Sequence, residues 1–162
     1  MDALELLKSD HDKVRSLFRQ FEQAASSEDE AAQAELRDKI IEELEVHTAI
    51  EEEVFYPQVR ESGEETEDLV LEGVEEHHVV DQIIAEVRTM DPAEEVFEAK
   101  MTVLIENVEH HAEEEEEEMF PKVRASFDAT KLAALGEELA AAKERHPSSG
   151  QSGEGRSTPA SS

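Results

Sequence analysis

Residues 40–57 read Ile40-Ile41-Glu42-Glu43-Leu44-Glu45-Val46-His47-Thr48-Ala49-Ile50-Glu51-Glu52-Glu53-Val54-Phe55-Tyr56-Pro57, and their apolar positions recur at helical rather than alternating spacing. The same pattern returns further along the chain. Ile40, Leu44, His47, Glu51 and Phe55 map, each at an offset of 64, onto Leu104, Val108, His111, Glu115 and Met119, and Tyr56-Pro57 maps onto Phe120-Pro121. Steps of four, three, four and four residues place each set along one helix face. Working outward, His11, Val14, Leu17, Phe18 and Phe21 map at an offset of 66 onto His77, Val80, Ile83, Ile84 and Val87. Two repeated helix pairs therefore each carry one His per helix in line with the apolar stripe.

Turn signals at Ser26-Ser27-Glu28-Asp29, Ser62-Gly63 and Asp91-Pro92 predict helices over 2–25, 29–60, 64–90 and 92–126, with a shorter one over 128–145 capped by Asp128. The expected fold is all-α: an antiparallel up-down four-helix bundle plus a short C-terminal helix, occupying 1–146 of 162 residues. Residues 147–162 are Ser-, Gly- and Pro-rich with almost nothing to bury, and read as a disordered tail. Aromatics are only 4% of the chain, so aliphatic packing must build the core. The formal charge of −28 has the wrong sign for a nucleic acid or an anionic membrane surface. With no Cys, thiolate zinc sites, iron–sulfur clusters and disulfides are excluded. The first residues lack the basic start and apolar run of a signal peptide, and no window is apolar enough to span a membrane, so a cytoplasmic location is expected.

Each long helix turns one His inward, and two of them add a Glu one turn on, about 6 Å along the axis. His11, His47, Glu51, His77, His111 and Glu115 are thus six metal-competent groups on buried faces. Burying four imidazoles and two carboxylates without a cation costs on the order of several kcal/mol, and no basic residue is placed to compensate them. Only one member of each adjacent pair, His77-His78 and His110-His111, can share the stripe; His77 and His111 do, which leaves His78 and His110 toward the surface. His146 is assigned no role. Six consecutive carboxylates at 113–118 cannot all face one site, so most form a solvated face; Glu115 falls on the stripe, with Glu114 or Glu118 replacing it only if the helix is wound differently.

The isolated His in Ser9-Asp10-His11-Asp12-Lys13-Val14, the two His-x-x-x-Glu motifs each running into an aromatic-Pro step, and Glu75-Glu76-His77-His78 together resemble the hemerythrin-like, or HHE cation-binding, domains over roughly residues 1–126. The resemblance implies a four-helix bundle around a non-haem di-iron centre, each iron held by two imidazoles and both bridged by Glu51 and Glu115, with manganese as the alternative metal. Six groups sharing carboxylates suit two octahedral ions better than tetrahedral zinc. Oxygen-carrying members have HxxxH in the third helix and HxxxxD in the fourth; here His77 is followed at i+4 by Asp81, and the fourth helix has HxxxE. The pattern is more similar to divergent members for which peroxide decomposition is the expected chemistry, the alternatives being oxygen or nitric oxide binding or sensing, and iron sensing or storage. Tyr56 is a further candidate ligand, since a phenolate suits ferric iron, or it simply packs as Phe120 would. A straight α-helix sets Tyr56 about 180° from His47, so ligation requires Pro57 to distort the turn.

Overall fold

Short-range capping by carboxylates decides where three of the helices begin. In the structure, a computed structural model that describes residues 1–146, α1 spans Ala3–Ser26 and opens with a reciprocal box: the Glu5 amide donates to Asp2 and the Asp2 amide to Glu5, both at 2.9 Å. The expected tail at 147–162 lies outside the described residues. Helix α2 starts at Glu30 under an Asp29 cap, and α5, Ala129–Arg145, starts under Asp128, whose carboxylate accepts from the Lys131 amide at 2.8 Å. Helix α3 is Glu64–Val87.

Helices α2 and α4 are each built in three parts. Helix α2 runs as Glu30–Ile50, a π-helical turn at Glu51–Phe55, and Tyr56–Arg60. Helix α4 runs as Phe97–Glu114, a π-helical turn at Glu115–Met119, and Phe120–Ser126. The two π turns stand at the same place in the repeat and each precedes an aromatic-Pro step.

The third helix stops at Val87 rather than 90, and the fourth begins at Phe97 rather than 92. Arg37 of α2 explains the early stop, because its buried guanidinium donates to the carbonyls of Val87 and Met90, both at 2.8 Å, and so closes the end of α3. Asp91 then caps a separate turn instead of α4: its carboxylate accepts from the Ala93 amide at 2.8 Å, and Glu94 accepts from the Asp91 amide at 2.7 Å.

Helix α1 packs along α2 and α3 along α4, as short connections between antiparallel neighbours require, and α5 lies against α1 and α2. The described residues are helical with no strand. The apolar core falls into two clusters. One holds Phe18, Phe21, Ile40, Phe97, Met101 and Leu104; the other holds Leu7, Ile50, Phe55, Tyr56, Val123 and the inward face of α5. Between them sits a layer of buried polar side chains. No helix among the described residues is long and apolar enough to cross a membrane.

Candidate metal centre

The polar layer contains the six groups that the stripes select. His11, His47, Glu51, His77, His111 and Glu115 are all buried, with Glu51 wholly so. Their atoms form two quartets that share both carboxylates. His11 Nε2 lies 3.2 Å from Glu115 Oε1, and His47 Nε2 lies 3.2 Å from Glu51 Oε2. On the other side, His77 Nε2 is 3.0 Å from Glu51 Oε1 and His111 Nε2 is 3.2 Å from Glu115 Oε2. Each carboxylate therefore turns one oxygen to each imidazole pair.

All four histidines are oriented from outside in the same way. Nδ1 of His11 meets Glu116 at 2.7 Å, that of His47 meets Asp10 at 3.0 Å, that of His77 meets Glu52 at 2.6 Å and that of His111 meets Glu76 at 2.5 Å. A carboxylate only accepts, so each Nδ1 donates and Nε2 faces the centre, as in metal-binding imidazoles. These four outer carboxylates are absent from the sequence-based selection. The repeat carries them nonetheless: Asp10 and Glu76 are 66 apart, and Glu52 and Glu116 are 64 apart, the offsets that relate the ligands themselves.

The outer carboxylates are not equally neutralised. Asp10 pairs with Lys143 of α5, and Glu116 pairs with Arg15 at 2.9 Å. Among the described residues, Glu52 and Glu76 have no Lys or Arg partner. Instead, burial and the neighbouring Glu76 push the Glu114 carboxyl up to about 7.

A cation fits the first quartet on the strength of its unsatisfied atoms. His11 Nε2, His47 Nε2, Glu51 Oε2 and Glu115 Oε1 are buried and make no hydrogen bond, an arrangement rare in protein interiors unless an ion completes it. Two sets of side chains could hold an ion here: His11/His47/Glu51/Glu115, and the trio Glu51/His77/His111, which Glu115 Oε2 approaches from the side of His111. Without a metal the protons take its place. Burial lowers the His47 pKa, but Glu51 and Asp10 outweigh it and raise the ring to about 10. His111 is raised well above its usual value by Glu115, Glu51 and Glu76 against the pull of burial. Burial raises Glu51, yet the surrounding imidazoles hold it well below the ordinary carboxylate range.

Tyr56 reaches the second quartet. Its hydroxyl donates to Glu115 Oε2 at 2.5 Å, and lies 3.3 Å from Glu51 Oε1, 3.2 Å from His111 Nε2 and 3.4 Å from His77 Nε2. The π turn makes this approach: Tyr56 N–H bonds back to the Glu51 carbonyl, five residues away. One extra residue in the turn takes up about 100° of rotation and carries Tyr56 off the face opposite His47. Pro57, with no N–H and a ring that clashes with the carbonyl four residues back, disfavours continued α-winding there. Burial and the charges of Glu115 and Glu51 raise the phenol well above its usual pKa, so without a cation it is a hydrogen-bond donor. Its repeat mate Phe120 stacks on His11, with ring centroids 6.1 Å apart.

The remaining candidates lie outside the centre. His78 is exposed beside Glu75, and His110 is exposed beside Glu114. His146 pairs with Glu53 at 2.8 Å, a contact the sequence does not suggest. Glu118 is exposed, Glu114 faces Glu76, and Asp81 is exposed where an HxxxH motif would place its second imidazole. Above the centre, a cavity of about 30 Å³ is lined by His11, His47, His77 and His111 together with Val14, Leu44, Val80 and Val108.

The hemerythrin HHE cation binding domain model matches residues 2–123. The uncharacterized protein Rv2633c of Mycobacterium tuberculosis is 30% identical over 145 residues, covering 87% of this chain and 84% of that protein. A DNA nickase of Nostoc sp. is 29% identical over 147 residues, covering 90% of this chain, which spans only 40% of the nickase's length. Among solved structures, the hemerythrin HHE cation binding domain-containing homolog of Rv2633c from Mycobacterium kansasii superposes with a TM-score of 0.78 at 26% identity, covering 90% of this chain and 87% of that one. With four inward imidazoles, two shared carboxylates and a matching family model over most of its length, this chain belongs to the hemerythrin HHE cation-binding domain family.

Proposed function

We propose that the protein binds two iron ions through His11, His47, Glu51, His77, His111 and Glu115, with Tyr56 as a further oxygen donor, and disproportionates hydrogen peroxide. The observation that carries this reading is the Tyr56 hydroxyl among the donors of one imidazole pair. A phenolate and two carboxylates add negative charge at a site where oxygen carriage would need a persistent reduced state, and so favour the oxidised one. Imidazole and phenolate donors favour iron over manganese. Bound iron would supply two electrons reversibly, so that one peroxide would take up two electrons and two protons to give two waters, and a second would return two electrons and two protons to give dioxygen.

The chain's own groups do the rest. Glu51 and Glu115 hold both positions at a fixed spacing, and the outer carboxylates lock the four rings. The cavity admits a species of about two heavy atoms, since roughly 10–15 Å³ holds one water, and Val14, Leu44, Val80 and Val108 line it beside the four imidazoles, with Glu43 and Thr48 at its part-exposed side. Tyr56 and Glu115 share a short hydrogen bond at which a proton can be held. A charge of −28 opposes a nucleic-acid substrate, so the nickase's activity is not carried over.

Iron-loaded protein should release oxygen from hydrogen peroxide, measured with an oxygen electrode, and should show a phenolate-to-metal absorption band that Tyr56→Phe abolishes. No oxygen release, or a stable oxygenated spectrum that reverses on degassing, would replace the catalase-like reading with one of oxygen binding or sensing.

A further inference from the structure

We infer that Gly73 is a positioning residue for the metal centre: by leaving an empty space on α3 it admits the Tyr56 oxygen to the His77/His111 pair and so makes the two ion positions chemically unequal. The inference rests on the reading of the six His and Glu groups as ligands, and it concerns a residue outside that set.

The geometry is direct. A Cβ on Gly73 would stand 2.9 Å from the Tyr56 hydroxyl oxygen, 3.2 Å from Cζ of the same ring and 3.4 Å from Cε1 of His111. The first distance is closer than a methyl group and an oxygen can approach, so one of them must move. Tyr56 has little freedom to yield in place. It is buried, its ring stacks on His77 with centroids 5.4 Å apart, and it tilts against Phe55 at 6.1 Å. The hydroxyl must therefore give way by a few tenths of an ångström or more, which disturbs its short contacts with Glu115 and His111.

The internal repeat supplies an independent control within the same chain. At the offset of 66 that relates α1 to α3, Gly73 corresponds to Leu7, and at the offset of 64 that relates α2 to α4, Tyr56 corresponds to Phe120. Leu7 is fully buried in the apolar cluster that also holds Phe120. Where the ring carries a hydroxyl, the facing helix has no side chain; where the ring lacks it, the facing helix has a bulky one. Helical propensity gives no reason for the glycine, which is among the least favourable residues in a helix interior. The orphaned atoms follow the same division: all four belong to the His11/His47 side, which no phenol reaches.

The chain has one Tyr and no Trp, so tyrosine fluorescence and near-ultraviolet difference absorbance report Tyr56 alone. Anaerobic titration of the metal-free full chain with ferrous ion should show a tyrosine response confined to one of two equivalents. Gly73→Ala should remove that response and weaken the same step about tenfold or more, leaving the other step unchanged. Tyr56→Phe should weaken that step equally, and the double variant should be no weaker than Tyr56→Phe alone, because the added methyl then meets no hydroxyl. An unchanged tyrosine response in Gly73→Ala, equal weakening of both steps, or a further loss in the Tyr56→Phe background overturns the inference. Failure of the wild-type chain to take up any ion overturns the ligand reading itself, and absence of oxygen release with these titrations intact counts only against the peroxide chemistry.

Discussion

An imidazole inside a protein is aimed by the nitrogen that faces away from its target. In this chain Asp10, Glu52, Glu76 and Glu116 each fix one Nδ1 on a neighbouring helix, so the convergence of the four Nε2 atoms is tied to how the helices pack. Metal content should approach two ions per chain by elemental analysis, and His47→Ala or His111→Ala should lower it sharply. His78→Ala and His110→Ala should leave it unchanged, because both rings are exposed. Equal losses from both members of the pair His110-His111 would show that the faces are wrongly assigned. Asp10→Asn and Glu76→Gln should each weaken binding by about tenfold or more while leaving every ligand in place. The inner six were legible because His is scarce and falls on the apolar stripe. The outer four were not, because in a chain with 43 Asp and Glu a carboxylate at any one helix position carries no signal until the repeat offset is applied to it.

At the level of elements, the helices were readable from periodicity and caps, whereas the places where they depart from regular winding were not. The π turns leave the apolar stripe almost undisturbed, and their trace in the sequence is the prolines that follow, Pro57 and Pro121. Arg37 shortened α3 through a contact between residues 50 apart, which no local rule anticipates. The α1–α2 connection holds a local conflict of its own. Glu28 has φ of 54° in the left-handed region, and the Glu28 and Asp29 amides bond back to the Ala25 and Ala24 carbonyls at 3.0 and 2.9 Å, a closing motif that usually places Gly at this position. Glu28→Gly should therefore raise stability by about 1 kcal/mol, seen as a higher denaturant midpoint with an unchanged slope. A lower midpoint would mean that the greater freedom of Gly in the unfolded chain outweighs the relief of strain.

For the molecule as a whole, the metal layer lies between the two apolar clusters, so its occupancy bears on the stability of both. In the metal-free form, imidazolium rings neutralise Glu51 and Glu115, and that arrangement depends on pH in a definite direction. The histidine pKa values are raised in the folded state, His47 to about 10, so their contribution is complete below the unfolded value of about 6.5 and is lost as pH rises through the folded values. Glu51 and Glu115 are lowered, so their contribution is present above about 4.5 and is lost as pH falls through the folded values. Metal-free protein should accordingly be most stable in the mildly acidic range and weaken toward alkaline pH. Ion binding requires the same rings to be deprotonated, so uptake near neutral pH should release protons, and apparent affinity should rise with pH through this window. An ion at about 100 times its dissociation constant adds about 2.7 kcal/mol, and more as affinity grows. The gap in melting temperature between loaded and metal-free protein, at fixed ionic strength and fixed total metal, should widen from about pH 6 to about pH 9. A gap that narrows over this range would mean that the imidazoles are not protonated in the empty centre, and that some other cation already neutralises Glu51 and Glu115.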